Sequence, residues 1–277
     1  MKSIKTLLAI LAVSGMMFTS CDDLLDPVAV SPTDATELQD DAVQNSKADD
    51  AMGGTMEAIS TYGISEDWNK KLDGNGPTVD YNATTFVVTL TFPNNGGVIV
   101  IDWNKAPGWA VEGLTGVVTI TNFIDAGATV SGTLTINSVG TPTQPALSIE
   151  GTLTMVMGQQ TMTYTVDRTF VWDAGFSMVN IDPTDDVFAI YGTTSVTTAN
   201  KTMNTTILQN EMVKKANSYL YPYTGVVKME REGTNKSVTM NYGSDANGAI
   251  NNAMDSHVKL TIKVGNASMT VVVNLAQ

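Results

Sequence analysis

The chain has 277 residues, of which 28 are acidic and 15 basic, with one histidine, one cysteine and a net charge of −13; 43 % of the residues are apolar. One cysteine excludes a disulfide framework or a thiolate metal site, and one histidine excludes a histidine metal cluster. With no basic stripe to neutralise phosphates, no nucleic acid is expected as a partner, and no cofactor motif is present.

Lys2 and Lys5 form a short cationic start, and residues 6–18 (TLLAILAVSGMMF) form an apolar run. That run is too short to span a bilayer as an anchor, so residues 1–20 read as a secretory signal peptide. Its end, Phe18-Thr19-Ser20-Cys21, resembles the lipobox of bacterial lipoproteins, which implies acylation of Cys21 and a membrane partner held through N-terminal acyl chains. The acidic run Asp22-Asp23-Leu24-Leu25-Asp26 resembles the surface-export signal of lipoproteins from Bacteroidota-type bacteria. A plain solvated linker is the bland alternative, and in other Gram-negative hosts an Asp after the cysteine signals inner-membrane retention. The expected location is the outer membrane, lipid-anchored and facing the cell surface.

Residues 22–50 carry nine acids against Lys47, whereas the body from residue 51 carries 19 acids and 12 bases. Residues 21–50 therefore read as an acidic, lipid-anchored tether that leads into a helix, repelled from anionic lipid heads. Ser31-Pro32-Thr33-Asp34 is a helix start, with Ser31 as N-cap, Pro32 at N1 and Asp34 reaching back. Leu38, Ala42, Val43, Met52, Met56 and Ile59 recur at helical spacing, but Gly53-Gly54 interrupts them. One broken helix or two short ones are expected between residues 33 and 61, laid along or plugging a sheet. Residues 51–80 thus comprise helix and loop, with 68–77 (WNKKLDGNGP) the loop.

From residue 81 to 277 the chain reads as one β domain, with strands expected at 85–92, 98–103, 116–123, 129–136, 146–157, 160–172, 187–197, 201–208, 218–231, 236–242, 257–264 and 268–275. Several alternate apolar with threonine or charge, as in Leu153, Met155 and Met157 against Thr152 and Thr154. Such half-buried strands imply antiparallel pairing, and Gly158-Gln159 and Gly265-Asn266 are hairpin-type turns. Gly116, Gly132, Gly151, Gly192 and Gly225 each precede a β-branched run, at spacings of 16, 19, 41 and 33, and read as bulges or bends. The expected fold is all-β: about twelve antiparallel strands in a meander curled into a barrel, half-barrel or sandwich, preceded by a short helical segment.

The succession GVVTITNFIDAGATVSGTLTI, TMTYTVDRTFVWDAG, DDVFAIYGTTSVTTANKTMNTTI and YTGVVKMEREGTNKSVTMNYG resembles a group of uncharacterised all-β lipoproteins of Bacteroidota. In that group an arginine and a tryptophan close one long strand, and a short N-terminal helix precedes the sheet. The resemblance spans about residues 85–275. It implies a location and a fold but no catalytic or binding residues.

Few residues suggest chemistry. His257 opens an alternating strand beside Asp255 and Ser256, and a strand-edge histidine is the simpler reading than a triad. Asp182-Pro183-Thr184-Asp185-Asp186 lacks calcium-loop spacing and reads as an Asp-stabilised turn, as does Asp73-Gly74-Asn75-Gly76. Trp103 and Trp109 flank a loop, and Tyr219, Tyr221 and Tyr223 alternate; both sets could form a ligand surface for a glycan or protein, or cap the core. Met155, Met157, Met162 and Met178 would suit an adaptable apolar pocket.

No catalytic constellation is visible. The expected role is non-catalytic, as a surface-exposed recognition or structural component of the envelope. A carrier of lipid or another apolar ligand on the concave face of the sheet is the second expectation, and an envelope glycoside hydrolase, which needs two convergent carboxylates, is the third.

Overall fold

A computed structural model describes residues 30–64, 76–108, 111–125, 127–141, 143–175, 186–216, 222–251 and 257–274. The signal segment, Cys21, Asp22 and Asp23 lie outside the described residues.

Helix α1, Pro32–Ala58, starts where the sequence predicts. The Asp34 N–H donates to Ser31 Oγ at 3.1 Å, and the Ser31 hydroxyl donates back to Asp34 Oδ2 at 2.7 Å. The expected break at Gly53-Gly54 does not occur. One helix of 27 residues runs through both glycines and widens into a π-turn at Ile59–Gly63. A mid-helix glycine costs only about 1 kcal/mol relative to alanine. Here a close approach requires the missing side chain, because a Cβ at Gly54 would overlap the Asp125 carboxylate. Small residues at Ala48, Ala51, Gly53, Gly54 and Ala58 let residues 51–56 of the helix bury themselves against the sheet.

Fourteen strands, all antiparallel, follow among the described residues: β1 Thr78–Asn82, β2 Val87–Thr91, β3 Val98–Trp103, β4 Thr115–Asp125, β5 Ala128–Ser138, β6 Ala146–Met157, β7 Gln160–Ala174, β8 Val187–Thr197, β9 Thr202–Ile207, β10 Val213–Ala216, β11 Gly225–Arg231, β12 Lys236–Ser244, β13 His257–Val264 and β14 Ala267–Asn274. They form one sheet in sequence order, with β10 set aside from the path and paired to β8. The meander is as expected, with two strands more. Strand β1 (TVDYN), whose alternation is only Val79 and Tyr81, and strand β10 (VKKA) escape sequence reading because they are short. Of the run predicted at 218–231, residues 218–221 lie outside the described residues, and β11 begins at Gly225.

Strands β1 and β14 stand at opposite ends of the order and do not pair, so the sheet is not closed into a barrel. Gly132 and Gly151 have φ of +145° and +150° and pair with Leu153 and Leu134 across β5–β6 without a register shift, so on that side they are bends. Register shifts fall between Ile120 and Phe123, where Ile120 is the β4 partner of Gly132, between Trp172 and Ala174, and between Tyr242 and Ser244.

One face of the sheet is buried under α1 in two apolar clusters. The larger gathers Met52, Met56 and Ile59 with the inward residues of β2–β8; the smaller gathers Leu38 and Ala42 with those of β8–β14. Burying each such side chain contributes about 1.5–3 kcal/mol.

Candidate functional site

Between the two clusters lies a seam of buried polar groups. On α1, Asp34, Glu37, Asp41, Asn45 and Asp49 are spaced by three or four residues and so share one helix face. Each meets a partner presented by the sheet. Arg168, on the inward face of β7 beside Tyr164 and Val166, grips Asp49 with Nη1 to Oδ1 at 3.2 Å and Nη2 to Oδ2 at 3.4 Å. The Tyr164 hydroxyl donates to Asp49 Oδ1 at 2.6 Å, and Arg168 Nη2 also donates to Thr194 Oγ1 at 3.0 Å. Asp49 and Arg168 are 2 % and 3 % exposed, so this pair is sealed from water.

Further toward the helix N-terminus, Asn45 Nδ2 donates to Thr205 Oγ1 at 3.1 Å, and Asp41 pairs with Lys201. At the rim, Lys236 Nζ lies 2.6 Å from both Asp34 Oδ1 and Glu37 Oε2, and Arg231 Nη1 donates to Glu37 Oε2 at 2.9 Å. These basic partners hold the Asp34 and Glu37 carboxyls below their ordinary range, and the two carboxylates hold Lys236 above its own.

Inside the seam, burial and then the Asp49 charge push the Tyr164 and Tyr242 phenols up. Burial works against the Arg168 charge, but Asp49 and Tyr164 together outweigh it and its pKa rises. Tyr164 and Tyr242 are therefore held as neutral phenols and Arg168 as a cation, an arrangement that fixes where the helix sits.

This seam replaces part of the predicted tether. Asp41 and Asp49 are buried on the docking face of α1, and Asp34 and Glu37 pair with the sheet at its partly exposed rim. Two signals in the sequence pointed to it: acids recurring every three or four residues, and a charged Arg168 in the apolar phase of an alternating strand, where an unpaired cation would be costly.

Of the residues singled out from sequence, the described ones fall in several separate places, and only Trp103, Met155 and Met162 share one cluster, with Met157 packed against it. Trp103 is 2 % exposed, its indole N–H donates to the Gly63 carbonyl at 3.0 Å, and its ring covers Gly116, so it belongs to the core and not to a ligand surface. Trp109, Tyr219 and Tyr221 lie outside the described residues. Tyr223 is half-buried ahead of β11, not within a strand, and its N–H donates to the Lys214 carbonyl at 3.0 Å. His257 is half-buried on β13, between β12 and β14, so it is not on a sheet edge. Asp182 and Asp185 lie outside the described residues, whereas Asp186 is buried and accepts from the Trp172 indole at 3.0 Å. Asp73 and Met178 also lie outside them. Met155 and Met162 are buried in the larger cluster, and Met157 packs against its edge.

Among the described residues, no group of three or more His, Cys, Asp or Glu is arranged to hold a metal ion, and no helix is long and apolar enough to cross a membrane. Comparison with models of known protein families, with curated proteins and with solved structures finds no match.

Proposed function

We propose that this chain is a lipid-anchored outer-membrane protein, facing the cell surface, whose role is recognition or structure and not catalysis. The observation that carries this reading is the seam itself. The conspicuous ionisable groups of the interior are spent on clamping α1 to the sheet, and α1 begins within reach of Cys21. Ten residues separate Cys21 from Pro32, which span at most about 35 Å when fully extended. A helix clamped so close to the acylated residue would hold the β domain at a short, defined distance from the membrane.

The same contacts favour a half-barrel. Asn45 and Gly54 are nine residues apart on α1, about 14 Å at the helical rise. Their neighbours, Thr205 on β9 and Asp125 on β4, are five strand spacings apart in the sheet, about 24 Å if it were flat. An arc longer than its chord supports a sheet bowed around the helix. With the concave face filled by α1, recognition or structure is favoured over a carrier, because a ligand there would have to expel a helix held by buried ion pairs.

Protease shaving of intact cells, read by mass spectrometry beside a periplasmic control, tests the location. Release of peptides from the exposed turn at 232–235 before lysis is expected. Release only after lysis overturns surface exposure. Separately, Cys21→Ala should move the protein from the membrane to the soluble fraction, and its retention would overturn the lipid anchor.

A further inference from the structure

Strand β8 is covered on one side by two strands in succession. Its Gly192–Thr197 half pairs with β9 and its Val187–Ile190 half with β10, while residues 208–212 leave the line between them as a 3₁₀ turn at Gln209–Glu211. Across the gap, β11 pairs with β9 only from Lys228 onward, and Thr224, just ahead of β11, bridges to Lys214 of β10. Residues 225–227 are thus left without a strand partner on that side among the described residues. Interruptions of this kind re-aim side chains and recur beside binding sites.

The result is a cleft of about 460 Å³ beside this break. Gly225, its cross-strand partner Tyr242, Val226 and Asn241 line it, and the backbone of Met212 and Val213 comes so close to Gly225 that a Cβ there would overlap it. The turn forms one wall, and Ile250, 49 % exposed, contributes to another. The size suits a small ligand.

Its chemistry selects the class. The side chains of Gln209, Asn210, Glu211 and Asn241 have no hydrogen-bond partner among the described residues, although all four line the cleft. Three are amides, which both donate and accept, as a ligand rich in hydroxyl groups requires. Charge is balanced: Glu211 would repel an anion, and Lys214, already 2.8 Å from Asp173 Oδ2, leaves little positive potential to hold one. Met212, Val226 and Ile250 add apolar surface of the kind that packs on the C–H faces of a sugar ring.

We propose that this cleft binds a neutral saccharide segment. The proposal rests on the recognition reading above and names its ligand class. To test it, the full-length protein in detergent is titrated calorimetrically with maltotriose, cellotriose, xylotriose and triacetylchitotriose, with inorganic phosphate and tetraalanine as controls. At least one saccharide is expected to bind with Kd on the order of 1 mM or tighter. Asn241→Ala and the Gln209→Ala/Asn210→Ala double variant should each weaken it about tenfold, from the lost hydrogen bonds, with unchanged unfolding midpoints. No binding by any of the four up to about 20 mM, binding that survives both variants, or capture of phosphate or tetraalanine instead would each overturn it. A surface-exposed protein that binds no saccharide sinks this inference alone, whereas saccharide binding by a protein shown to face the periplasm sinks the surface location alone.

Discussion

Asp49 on α1 and Arg168 on β7, 119 residues apart in the chain, meet in a two-point hydrogen-bonded ion pair with almost no solvent exposure. Burying either ion alone is costly, and their geometry offsets that cost only while both are present. Asp49→Ala should therefore destabilise the protein by about 3–5 kcal/mol. Arg168→Lys should fail to hold stability, because an ammonium cannot reproduce the guanidinium fork. The Asp49→Leu/Arg168→Leu double variant should lose much less than the sum of the single leucine changes. Urea midpoints check all three, and a wild-type midpoint for Asp49→Ala would refute the structural role of the pair.

Gly54 should reverse the usual helix preference. On an open helix, alanine would gain about 1 kcal/mol over glycine. At Gly54 the added methyl meets the Asp125 side chain, so Gly54→Ala should lower the thermal midpoint and Gly54→Val should lower it further. A raised midpoint for Gly54→Ala would mean that the helix does not lie against β4.

Acid should loosen the start of α1. Asp34 and Glu37 have folded pKa values below their ordinary 3.8 and 4.5, because Lys236 first and then Ser31 or Arg231 favour the charged form. A depressed carboxyl contributes stability that is complete above its unfolded pKa and is lost as pH falls through the folded value. Lys236 is raised above 10.5, so its contribution is complete at neutral pH and is lost as pH climbs through its folded value. Amide protection in the first turns of α1, followed by hydrogen exchange, should therefore hold between mildly acidic and mildly alkaline pH and fall at both extremes. A profile flat below pH 4.5 after correction for intrinsic exchange would refute the Lys236 contacts.

Trp103 should behave as a core residue. Trp103→Phe removes the donor to the Gly63 carbonyl and should cost about 1–3 kcal/mol through that buried acceptor. It should leave saccharide binding unchanged, since Trp103 does not line the β9–β10 cleft. The fluorescence lost in Trp103→Phe should be the blue-shifted component that acrylamide quenches poorly. Loss of a readily quenched component instead would contradict the burial.

Alternation along single strands is local, and it placed β3, β6, β8 and β13 at their observed bounds. The N-cap at Ser31 was equally legible, because capping involves only residues within one turn. The candidate site was not legible in this way. Its members come from α1, β7 and β8 and from the ends of β9, β11 and β12, and nothing local tells an acidic helix face that docks from one that is solvated.

The sequence by itself determined an all-β antiparallel meander and the position of the helix start, since both follow from side-chain periodicity and backbone capping over a few residues. Only the tertiary structure decided that the helix runs unbroken through Gly53-Gly54, that four acids of the supposed tether face the sheet, and that Trp103 is interior. Each of these depends on what another part of the chain brings into contact: the Asp125 carboxylate against Gly54, the Arg168 guanidinium against Asp49, and the Gly63 carbonyl against the Trp103 indole. Such long-range contacts set the local free energy, and residue spacing alone does not encode them.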